Sequence, residues 1–97
     1  MCNISVIVPF YKGNKYLTGL KQSLENACIS YEGKVEVIMV NDSPNEKIEK
    51  TLIQSEQYDL VIVEHDVNYG IHMARVTGIR KAKGEYVLLL DQDDKIK

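Results

Sequence analysis

The sequence lacks a surplus of either charge. Twelve lysines and arginines stand against fourteen aspartates and glutamates, a formal net charge of −2. That balance gives no electrostatic case for nucleic acid or for an anionic membrane surface as a partner. It also lacks any run approaching the roughly 20 apolar residues of a membrane span, and no basic segment leads into a long apolar one at the N-terminus. Export is not expected, and a cytoplasmic location is. Cysteine is scarce: Cys2 and Cys28 have no paired spacing for zinc or redox chemistry and read as reduced thiols. The glycine-rich phosphate cradles are missing as well. Neither G-x-G-x-x-G nor G-x-x-x-x-G-K-[ST] occurs, which argues against a dinucleotide oxidoreductase and a P-loop enzyme. There is no internal repeat and no low-complexity segment.

What is present fits one globular domain over residues 1–97, with 44% apolar residues and 27% charged residues of mixed sign. Ile4 to Val8 is a β-branched run closed by Pro9, and it predicts a buried strand that stops there. Gly13 marks a turn, and Asn14 is a candidate helix cap. Leu17, Leu20, Leu24, Ala27 and Cys28 then form one stripe of a helix over residues 15–30. Val35 to Val40 is the second strand, ending in Asn41-Asp42. Ser43-Pro44-Asn45-Glu46 matches a capping box and predicts a short second helix with Ile48 and Leu52 on its apolar face. Leu60 to Val63 is the third strand, running into Glu64-His65-Asp66. After the turn Asn68-Tyr69-Gly70, residues Ile71, Ala74, Gly78, Ile79 and Ala82 mark a third helix, with Gly84 as its stop. Tyr86 to Leu90 predicts a fourth, buried strand.

Strands alternating with helices imply parallel βαβ units, hence an α/β fold with an open sheet of about four strands. In such sheets the ligand crevice lies beyond the C-terminal strand ends. Those ends carry Pro9-Phe10-Tyr11, Asn41-Asp42, His65-Asp66 and Asp91-Gln92-Asp93-Asp94. Three carboxylates within four residues repel one another unless a cation intervenes. Hard oxygen donors suit Mg²⁺ or Mn²⁺, which complete their shells with water and substrate phosphates. The plainer alternative is a solvated acidic turn. Asp42 can accept a hydrogen bond from a ribose or a base, or else cap the helix after it. Arg75 is placed to approach a diphosphate, or to form an ion pair. Tyr11 and Tyr69 can stack on a base or simply pack. His65 and His72 read as surface or capping residues.

Taken in order, these segments resemble the N-terminal half of family-2 glycosyltransferases. The matching stretches are Ser5 to Tyr11, Glu36 to Ser43, Asn68-Tyr69-Gly70, Ala74-Arg75, Gly84 to Val87 and Leu90 to Asp94. The resemblance implies the Rossmann-like half of a GT-A fold, with strand order 3-2-1-4 and helices on both faces. It also implies a nucleotide-sugar donor site, with UDP-sugar favoured. Asp42 matches the family's base-binding acid, and the loop after Pro9, including Tyr11, matches a wall of the nucleoside pocket. The segment Asp91 to Asp94 matches the DxD-type motif. Asp93 or Asp94 looks most like the metal ligand, and Asp91 or Asp93 most like a ribose contact. Departures from the family pattern are Asn41, where aspartate is frequent, Ser43-Pro44, and Val76 after the arginine.

The resemblance further implies an inverting, metal-dependent transfer of a sugar to an acceptor hydroxyl of a glycan, lipid or protein, as in polysaccharide biosynthesis. It implies work at the cytoplasmic face of a membrane in a longer protein. No catalytic residue is expected within these residues, because the family's base lies downstream of residue 97. The expectation is therefore an inactive fragment of an enzyme, with donor-binding residues Pro9, Tyr11, Asp42, Arg75, Asp91 and Asp93. An apolar strand left at the sheet's edge is expected to self-associate through residues 87–90, or to be shielded by the chain's own tail. The competing readings are a non-catalytic nucleotide-binding or interaction domain and a Mg²⁺-dependent nucleotidyltransferase. The latter needs a basic, Gly-rich loop after the first strand, and Lys12-Gly13-Asn14-Lys15 is a weak version of one.

Overall fold

The computed structural model describes residues 2–29, 31–43 and 45–91, except for the side chains of residues 2 and 3. Its elements are β1 (Cys2–Phe10), α1 (Leu17–Ile29), β2 (Lys34–Asn41), β3 (Asp59–Glu64), α2 (Ile71–Lys81) and β4 (Tyr86–Leu89). The four strands form one parallel sheet in the order β3-β2-β1-β4. One helix covers each face, as period-2 burial of the central strands requires. Val6, Val8, Phe10, Val37 and Met39 meet Leu17, Leu20 and Leu24 of α1 on one side. On the other, Ile7, Ile38 and Val40 meet Ala74 of α2. Cys28 is a half-buried free thiol against the α1 core, and burial pushes its pKa up.

Several local expectations change. β1 does not stop before Pro9 but runs through it to Phe10, with Pro9 opposite Val40. In a parallel strand alternate residues bond to opposite neighbours. The Ile7 carbonyl accepts from Leu90 N and the Phe10 carbonyl from Asp42 N. Pro9 therefore faces the β4 side, just where that ladder has ended, and its missing N–H disrupts nothing.

Among the described residues the predicted helix after Ser43 is absent, and a single 3₁₀ turn, Lys50–Leu52, forms in that segment. Two asparagines take the backbone groups that a helix would use. Asn41 Nδ2 donates to the Glu46 carbonyl, and Asn41 Oδ1 accepts from Ser43 N. Asn14 does not cap α1; its side chain bonds Lys47 O, the Glu46 carboxylate and Glu49 N. Ile48 and Ile53, rather than Ile48 and Leu52, enter the core.

On α2 only the small residues Ala74 and Gly78 are buried, while Ile71 and Ile79 lie exposed. Nor is β4 a buried strand. It sits at the sheet's edge, and Tyr86 to Leu89 are exposed while Leu90 is buried.

A buried polar latch joins the start of β4 to the middle of the sheet. The Glu36 carboxylate accepts from Ser5 Oγ at 2.5 Å and Lys83 N at 2.6 Å, and Ser5 Oγ accepts from Gly84 N at 2.8 Å. A Cβ on Gly84 would lie 2.8 Å from Ile4 C and Ser5 N, which are backbone atoms that cannot give way. Gly84 thus serves close approach; α2 has already ended at Lys81.

Candidate functional site

A cavity of about 420 Å³ opens at the C-terminal edge of the sheet. Pro9, Phe10, Tyr11 and Tyr16 line it from the β1 side, Asp42 from the end of β2, and Asn68 from the turn after β3. Ile71 and Ala74 of α2 and Asp91 beyond β4 complete the wall. Asp42 arrives there because the buried, apolar end of β2 stops just before it, and Asp91 follows closely on the end of β4.

Asp42 is held most tightly. Its side chain is 5% exposed. Oδ1 accepts from His65 Nδ1 and Tyr69 N, each at 2.8 Å, and Oδ2 accepts from Gly70 N at 2.7 Å. Gly70 can present its N–H this way because it sits at φ 95°, a backbone conformation that glycine adopts without a Cβ penalty. Burial alone would raise the Asp42 pKa. The hydrogen bond from His65 and those from the two amides outweigh it and hold the carboxyl below the usual carboxylate range.

His65 is not a surface residue. The bond from His65 N to the Asn41 carbonyl extends the β2–β3 ladder and sets the ring beside Asp42. Nε2 meets Thr77 Oγ1 of α2 at 2.9 Å, and the Tyr69 ring stands edge-on at 5.1 Å. His72, in contrast, is exposed as expected.

Ser43 does not cap a helix; its Oγ accepts from Lys12 N at 2.7 Å and ties the β1 loop to the β2 loop. Lys12 occupies the left-handed region at φ 48° and places its ammonium 5.3 Å from the Tyr11 ring centre. Tyr11 itself is 45% exposed along the cavity wall. Asp91 accepts from Arg75 Nη2 at 2.9 Å, a half-exposed pair. Arg75 Nε is buried and has no partner among the described residues.

Four of the predicted donor-site residues, Pro9, Tyr11, Asp42 and Asp91, line this one cavity. Arg75 joins them through Asp91. Asp93 and Asp94, the expected metal ligands, lie outside the described residues, as does Pro44. Among the described residues no group of three or more His, Cys, Asp or Glu side chains could hold a metal ion. Asp42 is already engaged by three donors and Asp91 is a single carboxylate, so the described residues do not by themselves make a metal shell.

The family model described as glycosyl transferase family 2 matches residues 5–97. The chain belongs to glycosyl transferase family 2. Among its relatives, the minor teichoic acid biosynthesis protein GgaB of Bacillus subtilis (strain 168) is 35% identical over 95 residues, which cover 95% of this chain and 10% of that protein. The undecaprenyl-phosphate 4-deoxy-4-formamido-L-arabinose transferase of Pseudomonas aeruginosa (strain PAO1) is 29% identical over 93 residues, covering 93% and 27%. S. aureus TarS 1–349 in complex with UDP superposes with a TM-score of 0.84 at 31% identity, covering 98% of this chain and 28% of that one. Its complex with UDP-GlcNAc gives a TM-score of 0.80. The GT-A architecture expected of a family-2 chain is thus present. The chain spans well under a third of the length of these relatives.

For this family-2 chain, sequence reasoning missed His65 and Thr77. A lone histidine at a strand end carries no periodic signal. Its importance comes only from the parallel pairing that sets residue 65 beside residue 42, and from α2 crossing beneath.

Proposed function

We propose that this chain is the donor-binding part of a longer glycosyltransferase. The enzyme carries a sugar from a nucleoside-diphosphate sugar, UDP-sugar favoured, to an acceptor hydroxyl, with inversion at the anomeric carbon. The observation that carries this reading is the convergence of Asp42, Tyr11 and Asp91 on one cavity at the carboxyl ends of β1, β2 and β4. The likeness to TarS structures holding UDP and UDP-GlcNAc supports the donor class.

In this arrangement the buried Asp42 receives an N–H of the base, and Tyr11 and Pro9 form the wall along the nucleoside. Asp91, steadied by Arg75, is placed for the ribose hydroxyls, and the Arg75 charge stands near the diphosphate. A divalent cation, Mg²⁺ or Mn²⁺, supplies charge neutralisation on the diphosphate when bound, and Asp93 and Asp94 would hold it. The base that deprotonates the acceptor hydroxyl belongs to the protein beyond residue 97, so the isolated 97 residues bind donor without transferring sugar. A cytoplasmic location, at the membrane face for the longer protein, belongs to the same reading.

Calorimetric titration of UDP, UDP-sugars and nucleoside triphosphates, with and without Mn²⁺, tests it. The expected result is Mn²⁺-dependent binding of UDP and UDP-sugar, abolished by Asp93→Ala with Asp94→Ala. Metal-independent binding, a preference for triphosphates, or no binding would overturn it.

A further inference from the structure

An ionised carboxylate offers about four acceptor positions, two on each oxygen. At Asp42 both positions on Oδ1 are filled, by His65 Nδ1 and Tyr69 N, and one on Oδ2 is filled by Gly70 N. Counting the donors among the described residues, a single acceptor position remains, on Oδ2, in a residue that lines the cavity. Two of the three donors are backbone amides and are fixed by the fold. The third is a side chain, and it decides whether Oδ1 is closed.

His65 is itself clamped. Because a carboxylate only accepts, Nδ1 must carry the proton facing Asp42. In the neutral ring Nε2 then accepts from the Thr77 hydroxyl. Asn68 completes the picture: its Oδ1 accepts from Gly70 N, leaving the amide's Nδ2 as a donor beside the same cavity.

We propose that His65 is a positioning residue that closes Oδ1 of Asp42 and thereby restricts the base subsite to nucleobases offering one N–H donor flanked by acceptors, the uracil-type imide. A guanine edge offers two parallel N–H donors that match both oxygens of a free carboxylate, and here the second would find Oδ1 occupied. Cytosine and adenine would turn a ring-nitrogen lone pair toward the carboxylate. The inference rests on the donor-binding reading above, and it goes further by assigning base selectivity to a residue that does not touch the base.

The test measures dissociation constants of UDP, GDP and N3-methyl-UDP, in Mn²⁺, on the 97-residue chain and its variants. The wild-type chain is expected to favour UDP over GDP by about tenfold or more, and N3-methylation to cost a similar factor. His65→Phe keeps an aromatic ring and removes both nitrogens, and the UDP-to-GDP ratio should fall toward one. His65→Asn, whose Nδ2 reaches the place of Nδ1, should restore most of the ratio, which a merely structural role would not explain. If His65→Phe does not fold, Thr77→Val decides in its place: with Nε2 released the ring loses its orientation and the ratio falls. An unchanged ratio in these variants, equal behaviour of the Phe and Asn variants, or indifference to N3-methylation overturns the proposal while leaving the donor site standing. Absence of any nucleoside diphosphate binding to the wild-type chain overturns the donor-site reading and this proposal with it.

Discussion

Replacing Glu36 by leucine should lower stability by about 2 kcal/mol, although Glu36 lies at the end of the sheet away from the cavity. Its carboxylate, in a residue only 6% exposed, receives the Ser5 hydroxyl and the Lys83 amide. Leucine keeps the volume but offers no acceptor. A buried donor left unpaired costs about 1–3 kcal/mol, and bonds to a charged acceptor sit at the upper end of the usual range. Two offsets reduce the total. Water can reach the Lys83 amide, beside an exposed side chain, and a carboxylate no longer has to be desolvated. For 97 residues the unfolding entropy near the midpoint is about 0.2 kcal/mol per kelvin, so the melting temperature should fall by about 10 °C. Glu36→Gln, which keeps an acceptor oxygen, should lose about half as much.

Circular dichroism melts measure the global effect, and amide exchange measures the local one. Exchange should accelerate first at Lys83, Gly84 and along β4, because the latch fixes where that strand begins opposite Ile4. A double-mutant cycle with Ser5→Ala should show non-additivity of at least about 0.5 kcal/mol. A leucine variant melting within 2–3 °C (roughly 0.5 kcal/mol) of the wild-type chain would refute the reasoning, as would equal losses for Leu and Gln.

Two further outcomes follow from the same structure. The Asp42 pKa is lower in the folded chain than in the unfolded one, so in that window the unfolded state binds more protons and stability rises with pH. The contribution is complete above about pH 4 and is lost as pH falls through the folded value. Urea denaturation of the wild-type chain and Asp42→Asn should therefore converge at acid pH, and parallel curves down to about pH 2 would contradict the sign. At the other edge of the site, β4 pairs with β1 on one side and exposes Val87, Leu88 and Leu89 along an outer edge that has no neighbouring strand among the described residues. The 97-residue chain is predicted to associate with a second copy there, and Val87→Lys should return it to a monomer in light scattering. A wild-type monomer with rapid amide exchange along residues 87–90 would contradict this.

The sequence by itself determined the order of the four strands, the parallel sheet and the edge on which the polar residues gather. Each central strand is apolar through its second half, Val6 to Phe10 in β1 and Val37 to Val40 in β2, and then gives way to polar residues, a pattern that survives without knowledge of any neighbour. Asp42, Asp91, Tyr11 and Pro9 were legible for that reason. Local signals failed where distant side chains competed for the backbone. Ser43-Pro44-Asn45-Glu46 reads as a helix start, but Asn14, about thirty residues away, takes the amide and carbonyl that a helix would need. β4 reads as buried because its composition is apolar, whereas exposure depends on whether a strand lies beyond it. His65 had no local signal at all. Only the tertiary structure could set it between Asp42 and Thr77, since that meeting requires β2, β3 and α2 to be placed together. The reason is one of range: periodicity reports which way a residue faces, and only packing reports what it faces.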